Sequence, residues 1–184
     1  MANHHLKYWN YPGFKKDISS TFQLDLGQGN TPLEQQQKLL PPDLSASCNL
    51  WLKREDLNPN GSFKDRALAY QISYLQEKKE KYCVLSSSGN AAISCCAFCQ
   101  KTNIKPIILI SPSISQEKLQ TIIKNKPFLL IQSIQARRLA KYIHAKYKIP
   151  LLNPSSDPKA AFGFETLGWE IHQQNPNCQA IFSY

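Results

Sequence analysis

The chain has 184 residues, of which 42% are hydrophobic and 19% are charged. This composition excludes a disordered chain, which would contain fewer residues able to form a core. The longest strongly apolar runs, 106–110 and 127–131, are far shorter than the roughly 20 residues that span a bilayer. We therefore predict no membrane helix, and because residues 1–14 lack a signal-peptide core we expect a cytoplasmic protein.

The net charge of +9 arises from 22 Lys and Arg residues against 13 Asp and Glu residues. The basic residues are scattered, and aromatic residues do not alternate with them as they do in nucleic-acid-binding surfaces. We interpret the charge as a solvated basic surface, so neither nucleic acid nor a membrane is expected as a partner.

Residues 1–49 are irregular and are interpreted as a lead-in segment with a loop, whereas short β-like and helix-like runs alternate from about residue 50 onward. The predicted strands cover 50–53, 83–86, 107–110, 128–131, 149–152 and 180–183. The predicted helices cover 64–79, 90–101, 115–125, 134–147 and 159–174. Such alternation is typical of an α/β domain with a parallel sheet flanked by helices.

The stretch 58–66, NPNGSFKDR, contains the first candidate for chemistry. Pro59 and Gly61 break the chain, and Ser62 is placed to cap a helix that follows. Lys64 then lies in the first helical turn, where the helix dipole disfavours a cation, and this suits an amine that acts as a nucleophile. The alternative interpretation is a solvated lysine at a helix start.

The stretch 86–92, SSSGNAA, directly follows a predicted strand and precedes a predicted helix. Such a turn offers free backbone N–H groups and hydroxyls that bind an anion such as a carboxylate. Asn90 adds a side-chain donor and acceptor at the same place. The alternative is an ordinary Ser- and Gly-rich turn that caps a helix.

Two of the six cysteines, Cys95 and Cys99, are four residues apart and lie on one face of the predicted helix, a spacing compatible with two ligands of one metal ion. No second Cys or His pair with ligand spacing follows them. We therefore predict no metal site and interpret these cysteines as small packing residues.

Three motifs occur here in the order and at the spacings found in threonine synthases, which belong with tryptophan synthase β to the fold-type II class of pyridoxal-phosphate enzymes. Residues 26–33, LGQGNTPL, resemble the opening motif of threonine synthases; residues 53–66 resemble their cofactor-lysine motif, and residues 87–92 their substrate loop. The resemblance implies that Lys64 binds pyridoxal 5'-phosphate covalently and that Asn90 contacts the phenolic oxygen of the cofactor. It also implies that Ser87, Ser88 and Gly89 receive the carboxylate of an amino-acid substrate and that Asn90 contributes to the same substrate site.

The resemblance further implies a two-domain architecture. Residues 1–81 would form the first part of a large domain, residues 82–150 a small mobile α/β domain, and residues 151–184 the return into the large domain. Lys64 and the turn at 87–90 would then face each other across the cleft.

The implied activity is the conversion of O-phosphohomoserine and water to threonine and phosphate. A serine or threonine dehydratase, a β-replacement enzyme of the same fold, and a non-catalytic remnant or interaction module are the alternatives. Ala160 lies where many threonine synthases have an arginine for the substrate phosphate, which leaves the neighbouring Lys159 as the candidate contact.

The chain also differs from the family pattern near its C-terminus. No glycine follows Gly168, so the glycine-rich loop that holds the cofactor phosphate in this class is not seen. We therefore expect the 184-residue chain to be an N-terminal fragment that is inactive on its own. Homo-oligomerisation of a full-length form is left open.

Overall fold

The computed structural model describes residues 7–11, 14, 17–45 and 47–182. The strands are β1 (Leu33–Gln35), β2 (Trp51–Lys53), β3 (Tyr82–Ser86), β4 (Lys105–Ile110), β5 (Leu129–Gln132) and β6 (Leu151–Leu152). The α-helices are α1 (Pro42–Ser45), α2 (Lys64–Glu77), α3 (Asn90–Cys99), α4 (Gln116–Lys124), α5 (Ala136–Tyr147) and α6 (Pro158–Gln174). Over these parts of the chain, no helix combines the length and apolarity needed to cross a membrane.

Four strands form a parallel sheet in the order β5-β4-β3-β6. Successive residues of β3 point to opposite faces: Cys83 and Leu85 pack in a core with α2 and α3, whereas Val84 packs with α5 around Ala140. Because both faces are covered, the central strands are apolar over 83–85 of β3 and 106–110 of β4. The predicted α/β fold with a parallel sheet and flanking helices is confirmed.

Two predicted strands behave differently. The strand predicted at 50–53 is not part of the parallel sheet, since β2 pairs antiparallel with β1 in a separate two-stranded sheet. The strand predicted at 180–183 is wrong over 180–182, where the chain is irregular and no described strand pairs with it; residue 183 lies outside the described residues. A lone extended segment without a hydrogen-bonding neighbour has nothing to stabilise it as a strand.

The five predicted helices all occur, with ends that differ by no more than two residues. Helix α6 contains Gly163, a residue that weakens a helix in isolation. Here it allows close packing, because a Cβ built at Gly163 would lie 2.8 Å from the Cα of Ala67 on α2. Helices α2 and α6 therefore cross with their backbones nearly in contact.

The lead-in segment is packed more tightly than its sequence indicates. Trp9 and Phe14 are buried and contact Tyr70 of α2 through stacked and edge-on rings, and the buried ring of Tyr8 packs edge-on against both of them. The hydroxyl of Tyr8 also donates to the carbonyl oxygen of Arg66 at 2.5 Å. This aromatic cluster holds the start of the chain against the helix that begins with Lys64.

The parallel sheet extends across one boundary of the predicted domain division into 1–81, 82–150 and 151–184. Strand β6 begins at Leu151 and hydrogen-bonds to β3, so the parallel sheet continues past residue 150. The three-part division stays a prediction.

Candidate functional site

Lys64 is the first residue of α2. Its backbone N–H donates to the Oγ of Ser62 at 3.3 Å, so Ser62 contacts the helix start as predicted, although the capping position itself is occupied by Phe63. The side-chain nitrogen of Lys64 lies 4.2 Å from the centre of the Phe63 ring. This contact places the amine beside an aromatic face at the start of the helix.

Burial lowers the pKa of Lys64. None of the ion pairs among the described residues includes this lysine. A lysine whose charged form is desolvated and unpaired has a larger share of free amine at neutral pH. The structure therefore supports a nucleophilic lysine, and the cause of its lowered pKa is loss of solvent around the side chain, not the helix dipole that the sequence pattern suggested.

The turn 87–90 connects β3 to α3. Its hydroxyl groups stabilise it: Ser88 Oγ accepts the N–H of Ser111 at 2.7 Å, and Ser87 Oγ accepts the N–H of Gly89 at 3.3 Å. Among the hydrogen bonds of the described residues, none uses the backbone N–H of Asn90 or Ala91. These donors at the start of a ten-residue helix are available to an anion.

A cavity of about 750 Å³ brings the two stretches together. Its lining includes Lys64 together with Ser87, Ser88 and Asn90, and a further wall is formed by residues 151–156. Its volume falls in the range of pockets that hold a cofactor or small ligand, roughly 300–1,000 Å³. Lys64, Ser87, Ser88 and Asn90 therefore line one cavity, whereas Gly89 is not among its lining residues.

The two residues after Lys64 anchor its helix in the protein interior. Asp65 is fully buried, and its carboxylate accepts the backbone N–H of Asn60 at 2.7 Å and the hydroxyl of Ser94 on α3. Burial raises the pKa of Asp65, and the bonds from Ser94 and Asn60 oppose that rise. The carboxylate thus joins the loop before Lys64 to the helix that follows the turn.

Arg66 is also fully buried and lies in a network of charges. Its Nε donates to Glu55 at 2.7 Å, and its two terminal nitrogens donate to Glu170 of α6, each at 2.7 Å. Lys53 Nζ donates to the same Glu170 at 2.6 Å. Asp65 and Arg66 thus hold the first turn of α2 in the interior, while Lys64, directly before them, lines the cavity.

Glu170 depends on that network for its charge. Burial alone would raise the pKa of Glu170, but Arg66, Lys53 and the backbone N–H of Asn30 outweigh it and lower the pKa to about 2. Paired carboxylates that remain ionised in this way contribute to stability above their ordinary pKa. The network is therefore a structural support for the lysine-bearing helix.

The sequence profile of the family described as "Pyridoxal-phosphate dependent enzyme" matches residues 24–183. The chain belongs to this family. Threonine synthase of Bacillus sp. (strain ULM1) is 29% identical over 94% of the chain and 51% of its own length. The solved structure of the processed form of threonine deaminase isoform 2 from Solanum lycopersicum has a TM-score of 0.68 to this chain. The two are 25% identical, over 78% of this chain and 40% of that one.

A third protein, maize serine racemase, shares the fold with a TM-score of 0.69 at 24% identity, over 80% of this chain and 45% of that one. The chain thus spans about half the length of the threonine synthase it matches. The shared fold is that of pyridoxal-phosphate enzymes with parallel sheets flanked by helices, and the chain covers part of it.

The cavity residues fit the cofactor of this pyridoxal-phosphate-dependent family. An aldehyde cofactor needs an amine that is partly uncharged, and burial of Lys64 provides one. Asn90, which lines the same cavity, carries an amide suited to a polar ring substituent. The roles of Lys64 and Asn90 toward the cofactor, and of Ser87, Ser88 and Gly89 toward a substrate carboxylate, stay predictions.

Lys159 is not brought to the cavity. Its nitrogen lies 4.6 Å from the centre of the Tyr74 ring on α2, and the lining of the cavity does not include it. Ala160, at the position where the resemblance places an arginine, is buried. The placement of Lys159 gives no support to its predicted contact with a substrate phosphate.

Sequence reasoning missed three basic residues of the cavity wall, Lys118, Arg137 and Lys141. They are separated from Lys64 by 54 or more positions, and no motif marks them. Only the alternation of strands and helices offered a signal, since helices that follow parallel strands begin at the edge of the sheet where ligands bind.

Three buried cysteines form a cluster in the core where β3 packs against α3. Cys83 Sγ of β3 is 3.9 Å from Cys95 Sγ and 3.8 Å from Cys99 Sγ. The structure thus adds a third sulfur that the spacing of Cys95 and Cys99 did not reveal. A metal held by these sulfurs would require buried thiolates in apolar surroundings, which are costly to form. We therefore still interpret the three cysteines as packing residues. The expectation of no metal site stays a prediction.

Proposed function

We propose that the whole protein is a threonine synthase-like enzyme that converts O-phosphohomoserine and water to threonine and phosphate. The observation that carries the proposal is that Lys64 lines one cavity with Ser87, Ser88 and Asn90. The similarity to a threonine synthase along 94% of the chain supports the choice of reaction.

Each of these residues has a role in the proposed reaction. The bound cofactor supplies an electron sink that stabilises negative charge next to the amino group of the substrate. The Nζ of Lys64 holds the cofactor and, when free, carries protons to and from the substrate carbons. The backbone N–H groups of Asn90 and Ala91, which line the cavity, and the hydroxyls of Ser87 and Ser88 bind and orient the carboxylate.

A dehydratase that acts on serine or threonine is the second candidate. The similarity to threonine deaminase favours it, as does the absence of an arginine at Ala160. The two candidates differ in what the site must accommodate: the synthase binds a substrate with a doubly charged phosphate, whereas the dehydratase binds an uncharged hydroxyl.

Product analysis distinguishes the candidates. The whole protein, supplied with pyridoxal phosphate, is given O-phosphohomoserine in one assay and threonine or serine in another. The synthase proposal predicts equal amounts of phosphate and threonine in the first assay. Faster formation of ammonia and a 2-oxo acid in the second assay would overturn it in favour of the dehydratase.

Two lysine variants serve as controls for the assays. Lys64→Ala is expected to abolish turnover, because it removes the desolvated amine proposed to hold the cofactor. Lys101→Ala removes an exposed lysine at the end of α3 and is expected to retain full turnover. Turnover by Lys64→Ala at the rate of the unaltered protein would contradict the assigned role.

A further inference from the structure

The charged side chains that line the cavity are all cationic. They are Lys64 and three further residues: Lys118 on α4, and Arg137 and Lys141 on α5. Asp and Glu are absent from that lining. A cavity with one sign of charge attracts ligands of the opposite sign and raises their local concentration.

In the part of the chain that the structure describes, no ion pair neutralises this cationic wall. Among the described residues, the ion pairs and the contacts between cations and aromatic rings involve none of Lys118, Arg137 and Lys141. Their side chains are exposed, so each is free to turn toward a ligand.

The charges on α5 are placed where a helix alone disfavours them. Arg137 and Arg138 lie in its first turn, which contains no acidic residue, and the helix dipole is positive at that end. Arg137 and Lys141 are four residues apart on one helical face, an arrangement in which like charges repel. A bound anion would remove both penalties.

We infer that Arg137 and Lys141, assisted by Lys118, bind the anionic side-chain group of the substrate, a phosphate monoester. This assignment rests on the proposed function, because it supposes that the amino-acid end of the substrate lies at Lys64 and at the turn 87–90. Lys159 does not line the cavity, so it is not placed to contact the substrate phosphate there, and Arg137 and Lys141 supply that contact instead.

The cofactor also carries a phosphate monoester, and the test separates the two sources. Arg137→Gln and Lys141→Gln are compared with Arg138→Gln, which removes the same charge from the neighbouring position of α5 but does not line this cavity. Circular dichroism verifies that each variant is folded. The KM for O-phosphohomoserine, the KM for an unphosphorylated amino acid and the Kd for pyridoxal phosphate are then measured for the whole protein.

The inference predicts that each cavity variant raises the KM for O-phosphohomoserine about three- to fivefold, the effect of one lost ionic contact near a protein surface. The KM for the unphosphorylated substrate and the cofactor Kd should change less than twofold, as should all three values in Arg138→Gln. An increase in the cofactor Kd alone would assign the wall to the cofactor and overturn the inference. Equal effects of the cavity and control variants would also overturn it.

A binding assay keeps this inference distinct from the proposed function. O-Phosphoserine, a phosphorylated amino acid, is titrated into the protein by calorimetry whether or not the protein releases phosphate. Weaker binding of O-phosphoserine in Arg137→Gln than in Arg138→Gln supports the cationic wall even if the enzyme proves to be a dehydratase. Phosphate release that is unaffected by Arg137→Gln would leave the proposed function standing and contradict the wall.

Discussion

The stability of the chain should fall at acidic pH because of Glu170. Its pKa is about 2 in the folded protein and 4.5 in the reference state, so the ionised form is favoured by folding. The difference corresponds to about 3 kcal/mol of stability that is fully present above pH 4.5 and is lost as the pH falls toward 2. Between pH 6 and pH 3 the expected loss from this group is about 2 kcal/mol.

Urea unfolding followed by circular dichroism at pH 6 and pH 3 measures this loss. Other carboxylates titrate in the same range, so the comparison is made between Glu170→Gln and Glu165→Gln, which lies exposed on the same helix. Glu170→Gln should be destabilised at pH 6 by about 3–5 kcal/mol, as expected when a buried pair loses one partner. It should also depend less on pH than Glu165→Gln. Equal pH dependence in the two variants would refute the reasoning.

Three further predictions concern packing, the candidate site and its ligand. Gly163→Ala should destabilise the protein by about 1–3 kcal/mol in urea, because its Cβ would overlap the backbone of Arg66 and Ala67. Gly168→Ala, with open space around its Cβ, should instead stabilise the protein by up to about 1 kcal/mol, and equal effects of the two variants would contradict the close crossing of α2 and α6. Asn90→Ala should change the visible spectrum of the bound cofactor. An unchanged spectrum would contradict a contact between Asn90 and the cofactor and would indicate that the turn only caps α3. Raising the salt concentration should increase the KM for O-phosphohomoserine but not for an unphosphorylated amino acid, and an equal salt effect on both would contradict the cationic wall.

Much of the fold could be predicted from local patterns. Apolar runs such as 107–110 give buried parallel strands, and their alternation with helices sets the layers of the domain. The pairing of β1 with β2 was not predictable in this way, because it joins Leu33 to Lys53 across an irregular segment. A strand depends on a partner, and the sequence at 180–183 does not show whether one is present.

For the candidate site too, the parts that are continuous in the sequence could be predicted, and the contacts between distant residues could not. Lys64 and the turn 87–90 could be found because each motif is continuous in the sequence. The support of Lys64 could not, since Arg66 and Glu170 meet across 104 positions of the chain. The three-sulfur cluster around Cys83 and the cationic cavity wall likewise arise only when separate elements pack together.

The central claim is that Lys64 is the cofactor lysine, and competitive labelling tests it most directly. The protein is incubated with limiting pyridoxal phosphate, reduced with borohydride, digested and analysed by mass spectrometry. Burial lowers the pKa of both Lys64 and Lys53, but Lys53 is held by Glu170 at 2.6 Å, whereas Lys64 lines the open cavity. The label is therefore expected mainly on Lys64. Label mainly on Lys53, or spread over the exposed lysines, would contradict the claim.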